Sequence, residues 1–343
     1  MVAMPTRRRL HRTLDTVDRE LDRLVRPSAT ARAVISPYRG FGRGRELLVR
    51  GRVLLERNIT RATGAEPLWR SVVNTWRRFS SAELAGVKVR ADYRDAVVET
   101  VTDEEGYFQV RLEPKELAEH TLWHEVGLQL PDRGAVTAVA HVMLPSEAAK
   151  FAVISDIDDT VVVTNATSLL GMARSVLRNA AGRMPFEGVS DLYRALHRDA
   201  NPIFYVSSSP WNMYELLHDF MHLNGIPHGP MFLQDWGIDE STFLIASHET
   251  HKLRQIDTIL EYYPDMKFVL IGDSGQHDPE IYLQVIRAHR ERILAAFIRD
   301  VTPDLRDQAV ARIIEESNAA GVEMLYVPDS SAALQHARRI GLV

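Results

Sequence analysis

Two spacings of apolar residues divide this chain. Between residues 46 and 145, apolar and polar side chains mostly alternate, the two-residue period of strands with one face in water. Strands are predicted at Glu46–Glu56, 87–93, 96–102, 107–114, 124–131 and 135–145. Asp103-Glu104-Glu105-Gly106 punctuates them as a tight turn, and a helical insert is predicted over 68–84. About six short strands in some hundred residues predict a small β-sandwich. Beyond residue 150 the spacing changes. Apolar runs at 151–155, 203–207, 267–271, 293–298 and 323–327 alternate with helical stretches. Strands apolar on both faces, with helices between them, predict a parallel sheet covered on both sides.

Before the strands, Leu10, Leu14, Val17, Leu21 and Leu24 recur at spacings of 4, 3, 4 and 3, one stripe of a helix over 5–32. Arginines lie outside that stripe. Such a helix either docks on its own domain or lies on an anionic lipid surface. Asp15, Asp18, Glu20 and Asp22 weigh against the second reading. The glycine-rich stretch 36–44 (SPYRGFGRG) reads as a loop; its G-x-G follows no strand and is not a dinucleotide fingerprint. Three parts result: a basic amphipathic helix over 1–35, a β-sandwich over 36–149 and an α/β parallel-sheet domain over 150–343.

Composition narrows the class. With 45% hydrophobic and 25% charged residues over 343, the chain is neither a disordered polymer nor a coiled-coil rod. No apolar run approaches the ~18 residues of a membrane span. The absence of cysteine removes disulfides, thiolate metal sites and a thiol nucleophile. No apolar core follows the first arginines, so no secretory leader is expected, and a cytoplasmic location follows as the expectation. The net charge of −5 hides an asymmetry, because residues 1–100 carry 21 basic and only 11 acidic side chains. A basic end suits an anionic membrane surface or a solvated helix. No aromatic platform accompanies the arginines, so nucleic acid is not an expected partner.

In open parallel sheets, ligands bind at the carboxyl ends of strands. There this sequence places Asp156-Ile157-Asp158-Asp159-Thr160, then Ser207-Ser208-Ser209, and Gly272-Asp273-Ser274 with Asp278 beyond, while Lys252 precedes the strand at 267–271. Carboxylates gathered at one point repel unless a cation joins them, and oxygen donors suit Mg²⁺. Hydroxyls and backbone N–H groups hold phosphate, and a lysine offsets its charge. One carboxylate can attack phosphorus, and another can move the proton. Any of the three serines could meet the phosphate; Ser207 directly follows the apolar run. His248 and His251 lack the spacing of a zinc helix and read as loop histidines. His277 lies between two acidic residues of the site, where a supporting role is the lesser of two readings, and Trp211 reads as a packing aromatic.

The order D-x-D-x-T, Ser, Lys, GDSxxxD, with steps of 51, 45 and 21 residues from Asp156 to Ser207, Lys252 and Asp273, resembles the haloacid dehalogenase superfamily. The stretches FAVISDIDDT, YVSSSPWN, LNGIP, HKLRQI and FVLIGDSGQHDPEIY are similar to the catalytic domain of phosphatidate phosphatases of the actin-patch-protein type. The resemblance covers about residues 36–302. It implies a haloacid-dehalogenase-like fold and Mg²⁺-dependent removal of phosphate from phosphatidate. It implies Asp156 as nucleophile and metal ligand, and Asp158 as general acid/base with its carbonyl on the metal. Asp273 is the third ligand, and Asp278 supports the metal directly or through water. Ser207 binds the phosphoryl group with the N–H groups of Ile157 and Ser208; Thr160 joins the substrate-binding set. Lys252 bridges phosphate and Asp156. The expected partner is a phosphorylated substrate, a lipid phosphate at a membrane surface, with peripheral membrane contact. The competing readings are a phosphatase for a soluble or protein-borne phosphomonoester and an inactive phosphate-binding scaffold. A helical flap over 166–177 is expected beside an open site suited to a bulky substrate. The sequence carries no signal of oligomeric state.

Overall fold

A computed structural model describes residues 32–56, 83–118, 121–134, 136–157, 160–161, 188–198, 200–234, 248–301 and 307–343. The expected helix over 5–32 (but for Arg32), the insert over 68–84 (but for Glu83 and Leu84), the flap over 166–177, and Asp158 with Asp159 lie outside these residues.

Seven strands form the first sheet: β1 (Arg32–Arg43), β2 (Glu46–Glu56), β3 (Lys88–Tyr93), β4 (Ala96–Val101), β5 (Tyr107–Leu112), β6 (Trp123–Gln129) and β7 (Thr137–Met143). They pair in the order β4-β3-β6-β7-β1-β2-β5, and the end strands β4 and β5 approach each other. The two layers expected of a sandwich are therefore halves of one bent sheet. Its inward residues, among them Leu47, Val49, Val89, Leu112, Val126 and Val142, form a separate core. Alternate burial along β3, β5 and β6 matches the polar alternation of the sequence.

The stretch 36–44 is corrected. It is not a loop but most of β1, paired with β2 from Arg32↔Glu56 to Arg43↔Glu46. Its glycines serve close packing: a Cβ on Gly40 would lie 2.3 Å from the Leu48 carbonyl oxygen, and one on Gly42 would lie 2.2 Å from that of Glu46. Only Gly44 and Arg45 turn the chain, with Gly44 at a φ of +60°.

The second sheet is wholly parallel. Its strands are β8 (Ala152–Asp156), β9 (Ile203–Pro210), β10 (Met231–Gln234), β11 (Phe268–Asp273), β12 (Ile293–Arg299) and β13 (Met324–Val327), in the order β10-β9-β8-β11-β12-β13. Counted from β8, that is 3-2-1-4-5-6, a doubly wound sheet whose order reverses between β8 and β11. Helices α1 (Val189–His197), α2 (Tyr214–Leu223) and α6 (Ser330–Arg339) cover one face; α3 (His248–Tyr262), α4 (Asp278–His289) and α5 (Asp307–Ala319) cover the other. β8 and β11 are buried at every position, which explains why they read as unbroken apolar runs.

β1 joins the two sheets. Tyr38 enters the core on one face of the parallel sheet, with its ring 5.1 Å from Trp211 and 4.2 Å from Tyr214. Phe41 enters the core on the other face, 5.3 Å from Phe232 of the edge strand β10. The Arg39 amide donates to Tyr214 Oη at 2.6 Å, and Tyr263 Oη donates to the Gly42 carbonyl at 2.9 Å. Trp211 is thus the packing aromatic expected. Among the described residues, no helix is long and apolar enough to cross a membrane.

Candidate active site

The site sits where the strand order reverses. Asp156 is the last residue of β8 and Asp273 the last of β11; the strands pair Ile271 with Ser155. Both side chains therefore leave the sheet at its carboxyl end. Asp278 opens α4, five residues after Asp273, and Lys252 comes from the second turn of α3. All four are buried. Carboxylate oxygens of Asp156, Asp273 and Asp278 lie within 4.8 Å of one another.

Lys252 is clamped between two of them. Its Nζ lies 2.7 Å from Asp156 Oδ1 and forms a short ion pair with Asp278 Oδ1. Burial alone would lower the ammonium pKa, but the two carboxylates outweigh it and hold the lysine charged. The other Asp278 oxygen accepts the Asp273 amide at 3.1 Å. Asp278 thus holds both the lysine and the strand end. Asp273 Oδ1 accepts the amides of Gly275 at 2.7 Å and Gln276 at 2.9 Å. Its Oδ2 is buried without a hydrogen-bond partner among the described residues.

Three buried carboxylates against one lysine leave excess negative charge. Burial, and then the neighbouring Asp278, push the Asp273 carboxyl from its ordinary 3.8 up to about 7. The orphaned oxygen, the surplus charge and the all-oxygen donor set fit a hard divalent cation such as Mg²⁺. Asp273→Asn should raise metal-free stability. A carboxyl held above its unfolded value adds stability below about pH 4 that is lost as pH rises through about 7. The variant's gain is therefore largest at neutral pH and above, roughly 5 °C in melting temperature. Thermal melts with EDTA at pH 5 and 8 check this, and added Mg²⁺ should raise the parent more than the variant.

The glycine of GDS has a steric reason. A Cβ on Gly272 would lie 2.3 Å from Asp278 Oδ2 and 2.8 Å from Asp278 Cβ. Gly272→Ala is expected to displace Asp278 from Lys252 and from the Asp273 amide, lowering turnover at least about tenfold. Steady-state kinetics beside a melting curve would separate this from global unfolding.

The serines lie on the neighbouring strand. β8 pairs Asp156 with Val206, so Ser207 stands one residue beyond the level of Asp156. The sequence suggests that β9 ends at Ser207, but it runs to Pro210. Pairing with β10 slips from Val206↔Phe232 to Pro210↔Gln234, so 207–209 bulge out of the ladder. Ser207 Oγ accepts the Ser209 amide at 2.9 Å, a local turn that shapes the bulge. Thr160 Oγ1 donates to Asp156 Oδ2 at 3.3 Å, and Ile157 is buried. Ser208, half-buried, lies in the bulge.

One contact was not legible in advance. Ser155 Oγ donates to the Asp156 carbonyl at 2.7 Å and is 2.5 Å from Tyr193 Oη of α1, which braces the strand under Asp156. His248 and His251 are corrected: they lie in the first turn of α3, not in a loop. His277 is exposed at the start of α4.

Residues 151–300 match the family described as the phosphatidate phosphatase APP1 catalytic domain. The phosphatidate phosphatase APP1 of Saccharomyces cerevisiae is 36% identical over 159 residues, 45% of this chain and 26% of that protein. An uncharacterized protein of Schizosaccharomyces pombe is 32% identical over 157 residues, 44% of this chain and 25% of its own. The chain thus spans about a quarter of the length of these relatives. Among solved structures, a carbohydrate acetylesterase of Xanthomonas citri aligns over 88% of this chain and 72% of its own at 11% identity and a TM-score of 0.34, too slight a superposition to bear on fold or activity. The matched segment holds Asp156, Ser207, Lys252, Asp273 and Asp278, so the residues gathered at the site all lie in the part of the chain that is similar to the APP1 phosphatidate phosphatase catalytic domain.

Proposed function

We propose that this protein is a Mg²⁺-dependent phosphomonoester hydrolase with a haloacid-dehalogenase-like centre, and that it removes phosphate from phosphatidate at a membrane surface. The buried Asp156–Lys252–Asp278–Asp273 cluster at the sheet's reversal point, within a segment of the phosphatidate phosphatase family, carries this reading.

In this mechanism Asp156 and Asp273, with the Asp158 carbonyl, would hold Mg²⁺. Asp278, whose two oxygens engage Lys252 and the Asp273 amide, would support the cation site. When bound there, such a cation would supply charge compensation for carboxylate and phosphate. Ser207, Ser208 and Thr160, with the Ile157 and Ser208 N–H groups, orient the phosphoryl group, and Lys252 balances its remaining charge. Asp156 attacks phosphorus as the bond to the leaving oxygen breaks, and Asp158 gives that oxygen a proton. An aspartyl-phosphate results. Asp158 then takes a proton from water, whose oxygen attacks phosphorus and frees phosphate and Asp156. Most of the acceleration comes from positioning and charge compensation. Asp158 lies outside the described residues, and its part rests on its place two residues after Asp156.

The test is phosphate release from phosphatidate in mixed micelles, beside a soluble aryl phosphate. Turnover of phosphatidate with Mg²⁺ and none with EDTA is expected. Hydrolysis of the aryl phosphate alone would keep the chemistry and reject the lipid.

A further inference from the structure

A cavity of about 420 Å³ lies where the first sheet meets the segment after β9. That volume is within the range of small-molecule sites, about 300–1,000 Å³. The first sheet supplies most of its wall, from the face turned away from its own core. Directly opposite residues of paired strands share a face, so the pairs Tyr38↔Arg50 and Arg50↔Gln109 set these three side chains in one row across β1, β2 and β5. Tyr107 stands two residues before Gln109 on the same face. From the parallel-sheet domain comes Trp211, in the single turn 211–213 between β9 and α2. The Tyr38 ring centre is 5.1 Å from that of Trp211 and 6.4 Å from that of Tyr107. The cavity adjoins the serine bulge. Trp211 follows Ser207 by four residues, at most about 14 Å of extended chain, and the bulge shortens that step.

The wall offers hydrogen-bond donors that the protein leaves unused. Arg50 Nε donates to Gln109 Oε1 at 3.1 Å. The Arg50 Nη groups make no hydrogen bond or ion pair among the described residues. Aromatic faces flank that guanidinium instead, with the ring centres of Phe41 and Phe232 at 5.2 and 5.9 Å. Arg52, on the same face, is already engaged by Glu83 and by the Glu105 carbonyl. Arg50 is thus the guanidinium open to a ligand, and the Gln109 amide nitrogen adds a second donor. Aromatic walls beside two such donors suit an apolar body bearing an acceptor oxygen, the chemistry of an ester-linked acyl chain. We propose that this cavity receives the acyl ester nearest the substrate's phosphate, with Arg50 and Gln109 donating to its carbonyl oxygen and Tyr38, Tyr107 and Trp211 packing on its first methylenes. The inference rests on the phosphatidate reading and gives the first sheet its part in it. The parallel sheet carries the chemistry, and β1, β2 and β5 select the lipid.

The test compares dihexanoyl phosphatidate, kept monomeric so that no lipid surface takes part, with an aryl phosphate, both with the full chain and Mg²⁺. Arg50→Met removes the charged donor, and Gln109→Trp, at an exposed position, fills the cavity. Each should raise KM for dihexanoyl phosphatidate at least about tenfold, keep kcat within about twofold, and leave both constants for the aryl phosphate unchanged. Melting curves show that each variant is folded, and Gln109→Trp carries the test alone should Arg50→Met unfold. Dihexanoyl phosphatidate turned over equally by parent and variants would overturn this inference and leave the proposed function standing. Equal losses on both substrates would also overturn it, because the residues would then act on the fold or the carboxylate centre. Hydrolysis of the aryl phosphate with none of phosphatidate by the parent would reject the proposed substrate, and this inference with it.

Discussion

Asp156→Asn protein is expected to release no phosphate above background, a loss of about 10⁴-fold or more, while folding like the parent. The substitution keeps the shape of a buried side chain at the end of β8. It removes the charged oxygen that would attack phosphorus, and an amide cannot replace it. Stability should change little, because the variant loses one ion pair to Lys252 but also one of three mutually repelling carboxylates, and Lys252 keeps Asp278. Kinetics on phosphatidate and on an aryl phosphate, beside a melting curve, check both halves. Residual turnover above a hundredth of the parent's, in protein free of contaminating phosphatase, would remove Asp156 from the reaction.

Lys252→Met is expected to damage stability as well as activity. The methionine fills similar volume but leaves Asp156 and Asp278 without their cation in a buried site. Removing one member of a buried ion pair costs about 3–5 kcal/mol. For a domain of this size that is a fall on the order of 10 °C in melting temperature. Mg²⁺ should restore part of the loss, since it compensates the same carboxylates. Turnover should fall about 10²–10³-fold, the usual effect of losing one charge-stabilising group. Melting curves with Mg²⁺ and with EDTA separate the two effects. An unchanged melting temperature would mean that the lysine does not balance the carboxylates.

These two variants differ because of a network that sequence order suggests only in part. The motifs were legible because a parallel sheet brings every strand's carboxyl end to one side, so residues 156, 207 and 273 converge whatever the loops do. The double engagement of Asp278 was not, because it depends on how α4 starts against β11. The brace from Tyr193 through Ser155 depends likewise on where α1 packs. Among the strands, β1 was missed because glycines read as a turn; Gly40 and Gly42 are there so that β2 can approach closely. β10 was missed because Met231–Gln234 is only four residues long and follows Gly229 and Pro230.

The most direct test of the account traps the bond it postulates. Protein turning over phosphatidate or an aryl phosphate with Mg²⁺ is quenched and treated with borohydride, which reduces an aspartyl-phosphate to homoserine. Peptide mass spectrometry then reads the modified position. Homoserine at position 156, dependent on substrate and Mg²⁺ and absent from Asp156→Asn protein, is the predicted result. Active protein that yields none, or carries it at another carboxylate, would contradict Asp156 as the nucleophile.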